Sequence, residues 1–301
     1  MKDLRKLEQK NNMDKNSISV IIPTHNSETT IKACLDSLIL QSIPREQFEI
    51  IVVDDGSTDN TVNLAKTYSV DNILYIEPCS VGKARNLGVK SSRGTIIAFL
   101  DSDCKANEGW LKAISENISS KNAITGPILN GNPQSLVAWA EYFLEFGGYY
   151  EHNKIFPVRF IPGCNQAYSK EVFLKTAGFS DKWLSEDVLF GEELKKLGLK
   201  AFFYPHVQIF HLCRTDLQKV LSNMRTLGKY SVRTRKMASV KYGRLFLRKF
   251  FVPVIFLGKI VKSMNYAFKA RKLSKFILSL PYVILASAAF CKGVWIEIGN
   301  D

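Results

Sequence analysis

Thr95–Cys104, TIIAFLDSDC, is the stretch that decides the fold. Its apolar run from Ile96 to Leu100 reads as a strand covered on both faces, and two carboxylates one residue apart, Asp101 and Asp103, follow at its carboxyl end. Open α/β sheets build their ligand sites outside the carboxyl ends of their strands, so these acids belong to a mouth and not to a core. In a locally extended segment both project to the same side, where two hard oxygen donors can hold Mg²⁺ or Mn²⁺ against a diphosphate. Solvated turns carry the same Asp-x-Asp pattern, so the metal reading depends on its surroundings.

Upstream, Ile18 to Ile22 reads as a strand running into Pro23, Thr24, His25 and Asn26, and a helix follows with Ile31, Cys34, Leu35, Leu38 and Ile39 on one face. A second strand, Ile50 to Val53, ends in Asp54-Asp55-Gly56-Ser57-Thr58-Asp59. There Gly56 permits a tight turn, and Ser57, Thr58 or Asp59 can cap a helix through Thr61 to Tyr68. A third strand, Ile73 to Ile76, leads to Val81-Gly82-Lys83-Ala84-Arg85-Asn86, and that helix returns to the Asp101 strand. Strands alternating with helices imply parallel βαβ units with right-handed crossovers, which put every polar cluster on one edge of the sheet. Asp55 can accept from a base or ribose, Lys83 and Arg85 bring positive charge, and Asp101 and Asp103 bring a metal platform. Each has a plainer alternative: Asp54 and Asp55 as helix-capping acids, Lys83 and Arg85 as a solvated helix face.

The chain resembles the family 2 glycosyltransferases, whose nucleotide-sugar-binding domain has the GT-A fold. The resemblance is carried by PTHN at Pro23 to Asn26, VVDDGSTDNT at Val52 to Thr61, GKARNLG at Gly82 to Gly88, FLDSDC at Phe99 to Cys104 and SED at Ser185 to Asp187, in order over residues 17 to 212. It implies a mixed, mainly parallel GT-A (Rossmann-like) α/β sheet flanked by helices. It also implies inverting transfer of a sugar from a nucleoside diphosphate donor to a hydroxyl acceptor, in cell-surface polysaccharide or lipid-linked glycan synthesis. The donor would lie on Pro23, Thr24, His25, Asn26, Asp55, Lys83, Arg85, Asp101 and Ser102. The metal, Mn²⁺ or Mg²⁺, would sit on Asp103 and Asp101. Asp187 would be the catalytic base, with Glu186 in reserve. Such a base takes the acceptor proton opposite the leaving diphosphate, while cations stabilise the departing charge. Both acids lie at the start of an amphipathic helix, where the macrodipole alone also favours them and would lower their basicity.

Gly163, Cys164 and Asn165 open a small-residue segment that similar enzymes place on the acceptor side; a plain edge strand is the competing reading. His211 ends a strand-like run, and the resemblance implies an additional metal ligand there, with a hydrogen-bonded structural histidine as the alternative. Trp139, Tyr142, Phe143, Phe146, Tyr149 and Tyr150 form an aromatic cluster suited to sugar stacking, membrane approach or a core. A Gln-x-x-Arg-Trp signature, usual in processive members of the family, is absent from the sequence. A nucleotidyltransferase could share the sheet, but typically needs a Gly-rich loop after the first strand, and Pro23 to Asn26 lacks one.

From Arg214 to Lys275 the chain carries 17 Lys or Arg and one acid, Asp216, giving +16 against +13 for the whole 301 residues. Such a segment could bind nucleic acid or an anionic leaflet, and a non-enzymatic basic membrane-binding protein is a further reading. Uncharged runs of 9 residues, Phe250 to Gly258, and 16 residues, Phe276 to Cys291, favour the membrane, and no nucleic-acid partner is expected. Both runs fall short of the ~20 residues of a spanning helix and contain Pro253 and Pro281, which favours interfacial or re-entrant helices with snorkelling Lys249, Lys259, Lys275 and Lys292. The second run could span only if Gly293 to Ile298 joined it, which would carry the charges of Lys292 and Glu297 into or near the apolar layer. Leu217, Val220, Leu221, Met224 and Leu227 are spaced for a linker helix joining the catalytic domain to the membrane region, or for a bundle helix packed on the sheet.

The expected organisation is an N-terminal extension (1–16), a catalytic domain (17–213) and a basic, helical, membrane-associated region (214–301). The first 17 residues are polar and charged, unlike a signal peptide, and six cysteines without metal-site spacing suit reduced thiols in the cytosol. The cytoplasmic face of the cell membrane is the expected location.

Overall fold

The computed structural model describes residues 17–181, 186–237 and 248–299. The expected N-terminal extension, Ser185 and the basic residues 238–247 lie outside these. The alternation read from the sequence is present as β1 Ile18–Thr24, α1 Ile31–Ile39, β2 Phe48–Asp54, α2 Thr61–Lys66, β3 Asn72–Tyr75, α3 Val81–Ser91 and β4 Ile96–Leu100. Helix α2 stops two residues short of the expected Tyr68, because the Thr67 hydroxyl and the Thr67 and Tyr68 N–H groups close the last turn onto Leu64 and Ala65. After β4 come β5 Cys104–Ala106, α4 Trp110–Asn117, β6 Asn122–Thr125, β7 Ile128–Asn130, α5 Leu136–Glu145 and β8 Phe156–Val158. The chain continues through β9 Asn165–Ser169, α6 Lys170–Leu174, α7 Glu186–Lys196, β10 Lys200–Phe203, β11 Ile209–His211, α8 Leu217–Met237, α9 Val252–Lys269 and α10 Leu273–Ile298.

Two compact units result. The first takes the described residues of Met1–Pro127, His152–Lys182 and Glu186–Ile209, and the second those of Ile128–Glu151 and Phe210–Asp301. The first unit is an eight-stranded sheet in the order β3-β2-β1-β4-β9-β6-β10-β8. Strands β1 to β4 are mutually parallel, β9 runs antiparallel between β4 and β6, and β10 is parallel to β6. Every residue of β1, β2 and β4 is buried, including the polar Ser19, Glu49 and Asp54, as strands at the centre of a sheet covered on both faces require. Phe99 anchors this core, edge-to-face with Phe179 at 5.3 Å between ring centroids and with Tyr168 at 6.3 Å.

The second unit is helical, and residues 128–151 belong to it, so the expected boundary at 213/214 passes inside this unit. Buried Glu141 on α5 accepts hydrogen bonds from the Arg214 N–H and guanidinium, each 2.6 Å, which ties the two segments together. Trp139, Tyr142 and Phe143 are buried and pack on one another, so the core reading of the aromatic cluster holds for these three. Helix α8 is a bundle helix lying against α10.

The two prolines do not interrupt the apolar runs. Pro253 occupies the first turn of α9, where its missing N–H costs no intrahelical bond, and α10 continues through Pro281. Lys249–Lys269 and Leu273–Ile298, with mean hydropathies of 1.2 and 1.7, are therefore long and apolar enough to cross a membrane by length and composition.

Candidate active site

Strand register gathers the motifs at one edge of the sheet. Thr24 at the end of β1 pairs with Asp54 at the end of β2, and Leu100 at the end of β4 pairs with Asn165 at the start of antiparallel β9. Pro23–Asn26, Asp54–Asp59, Asp101–Asp103 and Gly163–Asn165 thus leave the sheet on the same side.

On the β1–β2 side, side chains lock the loops to one another. Asn26 adopts a left-handed φ of 49°, and its Oδ1 accepts from the Thr58 N–H at 2.8 Å. His25 Nδ1 lies 2.6 Å from the Asp55 carbonyl oxygen, which only accepts, so Nδ1 carries the proton and Nε2 accepts from Asn26 Nδ2 at 3.1 Å. Neither Asp54 nor Asp55 caps α2. Asp54 closes its own turn by accepting from the Ser57 N–H at 3.1 Å, helped by Gly56 at φ 70°, and Asp55 Oδ1 accepts from the Cys79 N–H at 2.5 Å. The capping acid is Asp59, whose Oδ1 accepts from the N–H and the hydroxyl of Thr61. Lys83 is exposed on the first turn of α3, which Ser80 caps.

Arg85 departs from one reading offered by the sequence, the solvated helix face. It is 2 % exposed, and its guanidinium donates to Asp101 Oδ1 at 2.8 Å and to Glu186 Oε1 at 2.5 Å, with its Cζ 5.4 Å from the Phe179 ring centroid. Gly163 makes room for it: a Cβ there would sit 2.6 Å from Arg85 Nη2. Arg85 therefore joins the acid pair of β4 to the acids that open α7. Its signal in the sequence was only the spacing GKARN; burial in exchange for two carboxylates is a tertiary fact.

Asp187 lies beside this hub, accepting from the Gly163 N–H at 3.2 Å and the Val188 N–H at 2.8 Å. Burial pushes the Asp187 and Glu186 carboxyls above their ordinary values, against a downward pull from Arg85. Desolvation outweighs the helix-terminus effect that the sequence suggested would lower their basicity. Ser102 is buried with its hydroxyl 2.8 Å from that of Ser27, and Asp103 is half-buried, with the Cys104 thiol 3.6 Å from its Oδ1.

Gly163, Cys164 and Asn165 are all buried, because β9 is interior to the sheet and not at its edge. The Asn165 side chain accepts from Trp110 Nε1 at 3.0 Å and donates to the Val207 carbonyl at 2.8 Å, so it ties β9 to the surrounding scaffold. Gly163 touches the site through its N–H to Asp187. Phe179, the ring under Arg85, is a site residue that sequence reasoning gave no role. His211 is buried in the second unit, its ring 4.4 Å from that of Phe146. All six cysteines are free thiols.

Residues 19–176 match the profile of glycosyl transferase family 2. Glycosyltransferase AglE of Haloferax volcanii is 40% identical over 107 residues, 34% of this chain and 35% of that protein. The poly(ribitol-phosphate) beta-N-acetylglucosaminyltransferase TarS of Staphylococcus aureus is 37% identical over 129 residues, 39% of this chain and 22% of that protein. The matched stretches thus span about a third or less of these relatives. Among solved structures, the mannosyltransferase PcManGT of Pyrobaculum calidifontis superposes with a TM-score of 0.59 at 15% identity, over 99% of this chain and 94% of that one, a likeness of fold.

Proposed function

This chain belongs to glycosyl transferase family 2, and from that premise we propose that it transfers a sugar, with inversion, from a nucleoside diphosphate donor to a hydroxyl of a glycan or lipid-linked acceptor. The observation that carries the reading is the unbroken chain of contacts Asp101–Arg85–Glu186, with Asp187 alongside, at the strand edge where Asp55 and Asp103 also emerge. A pair of hard oxygen donors and a half-buried carboxylate suited to act as a base, all in one unit, support this reading.

In this reading the loops of Pro23–Asn26 and Asp55 receive the nucleoside, and Lys83, exposed at the start of α3, faces the diphosphate. Asp101 and Asp103 suit Mn²⁺ or Mg²⁺ by donor chemistry: both are short carboxylates on one turn, and neither is deeply buried. The ion, when bound, neutralises charge on the leaving diphosphate. Asp187 takes the proton from the acceptor hydroxyl, and its raised pKa brings its basicity closer to neutral pH, where a general base is most effective. Arg85 is a positioning residue, fixing Asp101 and Glu186 at once. Relatives in fold were solved with UDP and with GDP-Man and Mn²⁺, which supports a nucleotide-sugar donor and a divalent ion. The enzyme acts at the cytoplasmic face of the cell membrane, held there by peripheral or re-entrant association of its C-terminal helices.

The test is release of nucleoside diphosphate from a panel of UDP- and GDP-sugars by the purified chain with Mn²⁺. Activity with at least one donor, lost in Asp103→Ala and Asp187→Asn alike, is the expected result. Turnover that survives Asp187→Asn refutes the assignment of the base.

A further inference from the structure

The last two helices of the second unit turn many of their large apolar side chains outward. On and just before α9, Phe250, Val254, Leu257, Val261, Met264 and Phe268 follow one another at steps of four and three residues and are 46–69 % exposed. On α10, Ile277, Leu278, Ile284, Leu285 and Trp295 are 41–60 % exposed. The buried positions hold Ser263 and Ala267 on α9, and on α10 the small Ser279, Ala286, Ser287, Cys291 and Gly293 beside the larger Phe276, Val283 and Val294. At the α8–α10 crossing a Cβ on Gly228 or Gly293 would lie 2.1 or 2.0 Å from a backbone oxygen of the opposite helix. Close backbone approach through small residues, with bulky apolar groups turned outward, is how helices pack when the surrounding solvent is hydrocarbon. In water an exposed apolar surface of this extent marks a docking face.

Charge identifies the occupant. From Leu217 to Ile296 the sequence has no Asp or Glu, and the nearest acid beyond, Glu297, is taken by Arg233 at 2.6 Å. The basic groups flank the apolar stripes: Arg248 and Lys249 before α9, then Lys269, Arg271, Lys272 and Lys275 around the turn into α10. Lys249 Nζ lies 5.1 Å from the Trp295 ring centroid and Lys259 Nζ 3.9 Å from that of Phe290, aliphatic stems along apolar surface as in snorkelling side chains. A second copy of this face would bring only like charge. An anionic lipid surface matches both the charge and the apolar stripes.

We propose that the outer faces of α9 and α10 dock the enzyme into one leaflet of an anionic bilayer, with both ends of the helix pair on the same side. Length and composition alone would permit crossing. The turn opposes it, because its four basic residues would have to pass through the hydrocarbon and then lie on the side that positive loops avoid. The proposal deepens the membrane location given above and rests on it.

The test floats the purified full chain with vesicles of phosphatidylcholine, alone or mixed with phosphatidylglycerol. Flotation is expected with the mixed vesicles, weakened by salt. The double variant Leu257→Glu/Val261→Glu, altered only at exposed positions, should lower the bound fraction at least tenfold with an unchanged thermal melt. Trypsin added to vesicle-bound parent should cut at the Arg271–Lys275 turn. A parent that stays unbound, a double variant that floats as well as the parent, a turn protected from trypsin, or a stable dimer that the double variant dissociates each overturns the proposal. Binding of UDP with Mn²⁺, read by thermal shift in the same samples, separates this failure from failure of the catalytic reading.

Discussion

Replacing Arg85 with Met should destabilise the protein strongly at neutral pH and much less in mild acid. Met keeps part of the apolar stem over Phe179 but removes the charge shared by Asp101 and Glu186. Glu186, 16 % exposed, is then a buried carboxylate beside Asp187 with no counter-ion from Arg85, whereas Asp101, 30 % exposed, can recover some hydration. Breaking a buried pair on one side costs about 3–5 kcal/mol. Proton uptake sets a ceiling, since protonating a carboxylate of solution pKa ~4.3 at pH 7 costs about 3.7 kcal/mol at 1.36 kcal/mol per unit. At pH 5 the same step costs only about 1 kcal/mol.

The sign follows from linkage. Removing the downward pull of Arg85 raises the folded-state pKa of Glu186 further, so the folded variant binds more protons than its unfolded chain and loses stability as pH rises. Urea unfolding followed by circular dichroism should therefore give a loss of about 3–4 kcal/mol at pH 7, falling by roughly 2 kcal/mol or more at pH 5. Adding Glu186→Gln to Arg85→Met should recover about 2 kcal/mol at pH 7, a coupling typical of groups in one network. Equal losses at the two pH values, or no coupling with Glu186→Gln, would show that the guanidinium is not neutralising a buried acid.

Three further outcomes follow from the same geometry. Asp187→Asn should lower kcat by about 10²–10⁴-fold with donor affinity retained, and in the parent the acidic limb of kcat/KM should lie above the ordinary aspartate value of ~3.9 because burial raises this carboxyl; a limb below that value contradicts the desolvation argument. Asp103→Asn should cost on the order of 3 kcal/mol in transition-state stabilisation, roughly a hundredfold in kcat/KM, and EDTA should reduce the parent to the same level, whereas a variant that keeps full Mn²⁺-dependent activity removes Asp103 from the metal. Gly163→Ala forces a Cβ to 2.6 Å from the Arg85 guanidinium, and should depress activity and shift the acidic limb while Phe179 and the core stay in place; an unchanged pH profile would place Gly163 outside the site.

The sequence by itself determined the alternation of strands and helices, the parallel order of β1 to β4 and the edge at which the polar motifs gather. These depend on local signals, namely apolar runs of four or five residues, turn residues such as Gly56 and 3.6-residue periodicity, and each is written within a short window. The tertiary structure alone decided which charges meet. Arg85 and Glu186 lie 101 residues apart, and nothing in either neighbourhood marks a buried pair, because ion pairing is a matter of distance and desolvation after folding. The same holds for β9: an edge strand was one reading open for the segment from Gly163, and only antiparallel pairing on both sides makes β9 an interior strand with Asn165 buried. Pro253 and Pro281 looked like interruptions because propensity is local, yet one falls on a helix start, where no bond is lost, and the other sits in a helix of 26 residues whose remaining turns hold it.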